Sequence, residues 1–331
     1  MIQEGIDMTT QVTRRRFNLA VAAALATPAA FAQDWPAKPI RIIVPYPPGG
    51  FTDTTARLVG QKLGERLGQT VLVDNKPGAN GTIGVAELAR SAPDGYTFAI
   101  VIAAHAANPS LYAKLPYDTR NDLAAVSLIG VSPLVAAVNK DAPFKNAQEL
   151  VAYAKRNPGK VSFGSSGNGA AAHLTTELLK SLTQTEMVHI PYKGAAAALQ
   201  DLIGGQIQLL FDAASGLINP GKAGQVRLIG VAAERRLPML PELPTFIEQG
   251  IAGFTGSTWA GLLAPARTPA AVIKRVSDEV GRIVRLDDVK ARLEGMGTLP
   301  AGSTPEEFAA FIDAESAKWG KVIREAKVKL D

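Results

Sequence analysis

The segment Gly164-Ser165-Ser166-Gly167-Asn168-Gly169 sets a run of small residues between an apolar stretch and a helical pattern, a place where several chemistries can be tested against spacing. A serine hydrolase needs GxSxG so that its nucleophile sits on a sharp strand-to-helix turn. Ser166 has Gly164 two residues before it but Asn168 two residues after it, so the elbow is broken. His105, His173 and His189 are the only histidines, and no spacing ties any of them to Ser166 as a triad requires. An exported carboxylate-ester hydrolase using Ser166 and His173 is therefore kept only as the alternative to a protein with no catalytic residues. Gly167-x-Gly169-x-x-Ala172 imitates a dinucleotide fingerprint, yet the next apolar run ends in His189-Ile190-Pro191-Tyr192 without the ribose-binding acid. No histidines lie at i, i+3 or i+4 and no HExxH occurs, so neither a metal nor a cofactor is expected. The absence of cysteine excludes a disulfide framework, a thiolate metal site and a cysteine nucleophile together.

What remains is recognition by backbone. The loops at the expected strand ends, residues 45–53, 103–108, 164–170, 191–194 and 212–216, contain one lysine and no arginine. An anion bound there must be held by backbone N–H groups and helix starts, whose free donors and partial positive charge favour carboxylates. Gly49-Gly50 ahead of one helix and Gly167-Asn168-Gly169 ahead of another allow that close approach; tight turns are the plainer reading of both. Asp212, directly after an apolar strand, faces the strand-end crevice and would select a hydroxyl or ammonium on the ligand. Asp53 either orients a loop-bound water or ligand amine or caps the helix it opens. Tyr46 and Tyr192 either wall the cleft with their rings or cover core. His173, four residues into its helix, reads as an interior histidine.

These loops need a scaffold that brings them to one edge. Apolar runs at 40–44, 70–73 and 96–102 alternate with helical patterns, the first with Ala56, Val59, Leu63 and Leu67 in phase and Gly68 as its stop. A second series has strands at 134–138, 161–163, 187–190 and 207–211 and helices opened by Asn146 with Glu149, by the 164–169 loop, and at Ala195. The alternation predicts an α/β fold of two lobes, each a mainly parallel sheet flanked by helices, with ligands at the strand carboxyl ends. The last third holds one strand, 259–264, and two long helices, opened at Thr268-Pro269 and by Thr304-Pro305-Glu306-Glu307. Too little for a third lobe, it is expected to return to the first. The expected division is a leader at 1–32, lobe 1 at 33–132 and 255–331, and lobe 2 at 133–254.

The leader has the charged n-region Arg14-Arg15-Arg16, twin-arginine in look, an apolar stretch at 19–31 and the small-x-small site Ala30-Phe31-Ala32. That stretch falls short of the roughly 20 residues a spanning helix needs, so cleavage after Ala32 and export to the periplasm are expected. Cleavage removes three arginines and two acids, lowering the net charge from +5 to +4. The cations are scattered among acids, so no nucleic-acid partner is expected.

Ile43-Val44-Pro45-Tyr46-Pro47-Pro48-Gly49-Gly50-Phe51-Thr52-Asp53 and Asp74-Asn75-Lys76-Pro77-Gly78-Ala79-Asn80-Gly81 resemble the Bug receptors of tripartite tricarboxylate transporters, the TctC-like substrate-binding family. The segments 93–97, 108–112, 115–118, 164–169, 191–194, 241–246 and 259–262 follow the same pattern in order, covering essentially the whole mature chain. The resemblance implies a type II Venus flytrap, and a ligand carboxylate held by backbone N–H groups with help from ordered water. It also implies partners, namely a small mono-, di- or tricarboxylate and the membrane components of such a transporter, with the receptor a monomer. Carried over, Tyr46, Gly49, Gly50 and Asp53 serve from the first lobe, with Ser165, Ser166, Gly167, Asn168, Gly169, Ala170 and Asp212 from the second. His105 and Tyr192, in loops of the same edge, complete the candidate binding set. Ala103-Ala104 and Ala170 stand where many relatives carry hydroxyl residues.

Overall fold

The computed structural model describes residues 35–328 and Leu330; the expected leader and its cleavage site lie outside them. The chain starts as a βαβαβ unit: β1 (Ile40–Val44), α1 (Phe51–Leu67), β2 (Val71–Asn75), α2 (Thr82–Arg90) and β3 (Thr97–Val101). β1 pairs in parallel with both β2 and β3. A short helix, α3 (Ala104–Leu111), follows. α1 forms because Thr55, Ala56, Val59 and Leu63 lie on one buried stripe, and it stops where Gly68 turns left-handed and its N–H reaches the Gly64 carbonyl.

β4 (Leu123–Asn139) then runs through the middle of the sheet. Only its second part reads as a strand in the sequence; the first part is nearly continuous apolar chain interrupted by Gly130 and Pro133. Residues 123–133 pair antiparallel with β9 (Ser257–Pro265), while residues 134–138 pair antiparallel with β7 (Leu209–Ala213). One strand thus joins two parallel sets, and the order is β2-β1-β3-β9-β4-β7, continued by β5 (Val161–Ser165) and β6 (Met187–Pro191).

The second set contains α4 (Ala147–Arg156), β5 (Val161–Ser165), α5 (Ala171–Thr183), β6 (Met187–Pro191), α6 (Ala195–Ile203), β7, α7 (Ala214–Lys222) and β8 (Val226–Val231). β5 pairs in parallel with β6 and β7. After β9 come α8 (Ala270–Ile283), α9 (Asp287–Gly295), the two-residue β10 (Leu299–Pro300) and α10 (Pro305–Glu325).

Two of the cores among the described residues show this order. Ile43, Val85, Ala99 and Val101 of the first set share a cluster with Trp259, Leu263 and Phe308 from the last third. Leu134, Phe163, Leu179, Phe211, Phe246 and Phe254 form the other. The last third therefore packs on the first set: α8 lies against α1 and β4, and α10 against α3 and β4. Within it, the Trp259 and Phe308 rings meet edge to face at 5.7 Å, and Glu315 Oε2 accepts from the indoles of both Trp259 and Trp319. Among the described residues no helix is long and apolar enough to cross a membrane.

Candidate ligand-binding site

A cavity of about 1030 Å³ lies where loops of both parallel sets meet. Its lining contains the N-cap residues of six helices: Gly50 (α1), Gly81 (α2), Ala103 (α3), Ala170 (α5), Gly194 (α6) and Ala213 (α7). None of the six has a side-chain cap. Of the four other described α-helices two are capped, α4 where Asn146 accepts from the Glu149 N–H and α10 where Thr304 with Glu307 forms a capping box, and two, α8 and α9, are not. A helix start without a side-chain cap leaves first-turn N–H donors for water or a ligand, and its dipole adds positive potential; at α3, however, the His105 and Ala106 N–H groups already bond the Ile102 and Ala103 carbonyls. The charged side chains of the lining are Lys193 and Asp212. What the cavity offers an anion is therefore chiefly peptide groups.

Seven of the thirteen candidate residues line this cavity: Tyr46, Gly50, Ser166, Gly167, Asn168, Ala170 and Asp212. Asp212 is half-buried, and burial pushes its pKa up to about 6 against the opposing Ala213 N–H. It can accept from a ligand hydroxyl or, when protonated, donate to a carboxylate.

The other six serve elsewhere. Asp53 neither caps α1 nor faces the cavity; it accepts from the Gly49 N–H (2.9 Å), from Arg57 Nε and Nη2 (3.0 and 2.9 Å) and from Asn75 Nδ2 (2.9 Å). Burial raises its pKa, but these donors outweigh burial and hold it below the ordinary carboxylate range. Gly49 and Asp53 together brace the loop from which Gly50 reaches the ligand space. His105 is 2% exposed and lies on the far side of α3, lining a separate groove with Tyr112, Arg120 and Ile312. Burial pushes its pKa down to about 4. The strand-end rule placed it in the cavity, but the start of α3 turns Ala103 and Ala104 that way instead. Tyr192 covers core: its hydroxyl donates to Asp201 Oδ2 (2.7 Å), and its ring packs beside Gly164.

Ser165 is fully buried; its Oγ lies 2.7 Å from His189 Nε2 and 2.9 Å from the Gly167 carbonyl and accepts from the Gly167 N–H (3.2 Å). Gly169 donates its N–H to His173 Nδ1 (3.1 Å), so that donor is already used within the protein. In this arrangement Nδ1 of His173, the base of the hydrolase alternative, is taken by that contact, and the serine that does meet a histidine, Ser165, is fully buried.

Several lining residues carried no signal of their own. Asn80 and Gly81, at φ 53° and 88°, belong to the 74–81 segment, which carried the family resemblance but no expected ligand contact. Asn80 Nδ2 donates to Asn108 Oδ1 (2.9 Å), and Asn108 Nδ2 returns a bond to the Asn80 carbonyl, fastening that loop to α3. Thr258 arrives from β9, remote in sequence and without a local marker.

Gly167 has φ +139°, and a Cβ there would meet nothing nearer than the Tyr192 carbonyl at 3.7 Å. Gly167→Val is therefore expected to cost folding about 1–3 kcal/mol of backbone strain while intruding on the cavity, so that binding falls further than stability. Paired melting and titration experiments on the variant check this. Equal losses would make the loop purely structural.

Residues 55–328 match the family described as tripartite tricarboxylate transporter family receptor. The chain belongs to that family. Protein BugT of Bordetella pertussis is 34% identical to it over 93% of this chain and 95% of its own length. Among solved structures similar to it, Rpa4515 of R. palustris with adipate is 33% identical with a TM-score of 0.82, covering 89% of this chain and 99% of that one. MatC from Rhodopseudomonas palustris with bound malate is 30% identical with a TM-score of 0.78, covering 87% and 100%. The fold is accordingly the two-lobed α/β fold of the periplasmic binding proteins.

Proposed function

We propose that this receptor captures a small carboxylate in the periplasm and delivers it to the membrane components of a tripartite tricarboxylate transporter. The observation that carries the reading is the convergence of six helix starts without side-chain caps on one cavity whose lining contains no arginine. The lobes are 33–132 with 255–331, and 133–254. β4 changes partners between Pro133 and Leu134, which supports a hinge there. A carboxylate spanning loops 45–53 and 164–170 touches both lobes, and only such differential contact shifts an open-closed equilibrium. The working ligand set is Tyr46, Gly50, Ser166, Gly167, Asn168, Ala170 and Asp212, supported by Gly49, Asp53, Ser165 and Gly169. The receptor acts as an exported monomer after loss of residues 1–32, and no bond is made or broken. The adipate and malate found with two relatives support the ligand class.

The test is a thermal-shift panel of mono-, di- and tricarboxylates alongside their neutral amides. At about a hundredfold excess over the dissociation constant, a true ligand stabilises by about 2.7 kcal/mol, and its amide leaves melting unchanged. A panel in which no acid raises melting, or acids and amides do so alike, overturns the proposal.

A further inference from the structure

Behind the 164–170 loop lies a cluster that does not line the cavity. The imidazoles of His173 (α5) and His189 (β6) stack with centroids 3.6 Å apart and planes 14° from parallel, and Phe163 flanks His189 at 5.0 Å. Each ring ends on a different peptide of the same loop. His173 Nδ1 takes the Gly169 N–H (3.1 Å), and His189 Nε2 meets Ser165 Oγ (2.7 Å), which in turn takes the Gly167 N–H (3.2 Å). The peptides so fastened flank Ser166, Asn168 and Ala170, which face the cavity.

Resting on the receptor reading above, we infer that His173 and His189 are positioning residues: as a stacked pair they hold the two ends of the second-lobe loop so that its remaining donors face the ligand. Glycine has no side chain to fix its own peptide, so a loop with Gly167 at φ +139° and Gly169 at φ +72° needs outside partners to keep one conformation. His173 must be neutral for the role. An imidazolium has no acceptor nitrogen for the Gly169 N–H, and two stacked cations repel. Burial, first among the causes, pushes both pKa values down, to about 3 for His173 and about 4 for His189. Since Nδ1 of His173 accepts, its proton sits on Nε2, which points toward Glu177 Oε1 at 3.7 Å, a carboxylate also paired with Lys180. A second contact holds the same peptide from the first lobe. The space a Gly169 Cβ would take is filled by Leu111, whose Cδ1 is 2.4 Å from that point.

The two roles use different ring nitrogens, which permits a crossed test in the full exported protein. The asparagine amide reproduces the Nδ1 position of histidine and the glutamine amide the Nε2 position. H173N and H189Q should therefore keep the loop bonds, while H173Q and H189N lose them; all four lose the ring stack. Hydrogen exchange at the Gly169 amide is expected to accelerate about tenfold more in H173Q than in H173N, and at the Gly167 amide about tenfold more in H189N than in H189Q. Affinity for adipate, used as the probe, should follow the same crossed order, with the loop-keeping variants within about threefold of the parent. Equal exchange in the Asn and Gln variants at each position would reduce the pair to core packing and overturn the inference. The exchange readout needs no ligand, so it decides the positioning role even where adipate fails to bind the parent, whereas the receptor reading falls only if no acid of the panel raises melting or acids and amides do so alike.

Discussion

Replacing Ala170 with aspartate is expected to make the protein more stable and almost unable to bind. Ala170 is the N-cap of α5, with extended backbone angles (φ −65°, ψ 158°) suited to a capping side chain and none present. An aspartate there accepts from first-turn N–H groups and faces the positive end of the helix, gains worth about 0.5–2 kcal/mol. Those are the donors a ligand carboxylate would use, and the new charge also repels it. Loss of charge-assisted hydrogen bonds at about 1.5–3 kcal/mol, with repulsion added, corresponds to roughly a hundredfold weaker binding. Opposite signs in the two readouts are the signature. Asn146→Ala, which uncaps α4 away from the cavity, should show the mirror image: about 1 kcal/mol lost in stability with affinity unchanged. Melting curves and calorimetric titration of both variants check the pair. An Ala170→Asp protein that binds like the parent would remove α5 from the site.

Stability is expected to fall steeply as the medium is acidified from pH 7 to pH 5. The three histidines sit in the folded protein with pKa values pushed down, by burial first, to about 4 for His105, about 3 for His173 and about 4 for His189. In the unfolded chain they titrate near 6.5. Between these values the unfolded state binds protons that the folded state refuses. Folding free energy present above pH 6.5 is therefore lost as pH drops toward 4, at up to about 1.4 kcal/mol per pH unit for each histidine. Asp212 opposes this, because its pKa pushed up to about 6 lets the folded state hold a proton that the unfolded state has released. With three groups against one, the net loss from pH 7 to pH 5 is on the order of 2–4 kcal/mol. Urea midpoints across that range measure it directly. A flat profile would mean that the histidines are solvated, which would also dissolve the bracket behind the 164–170 loop.

The fold was legible where an apolar run is bounded by breakers. β1, β5 and β7 are short, buried and flanked by glycine, proline or aspartate, and the N-terminal signals of α4 and α10 lie in the side chains that do the capping. β4 was half legible because its first part is buried without alternation and carries Gly130 and Pro133, which read as interruptions. α3 and α7 escaped notice since each is short and contains a proline, Pro109 and Pro220. In the site, composition reveals which loops can approach a ligand but not which of their donors are already taken. Gly167 and Gly169 look alike in sequence; they differ because His173, four residues beyond Gly169, claims its N–H. His105 was misplaced for a related reason, since the helix that starts at Ala104 decides which of 103–105 faces the cavity.

Capture of an acid by peptide dipoles is tested most directly by a crystal structure of the complex with whichever carboxylate raises the melting temperature most. Backbone recognition requires a carboxylate oxygen at about 2.7–3.1 Å from first-turn nitrogens of α1 or α5, with no arginine in reach. An acid clamped by a guanidinium or held by Lys193 alone, or one seated in the groove beside His105, would contradict it.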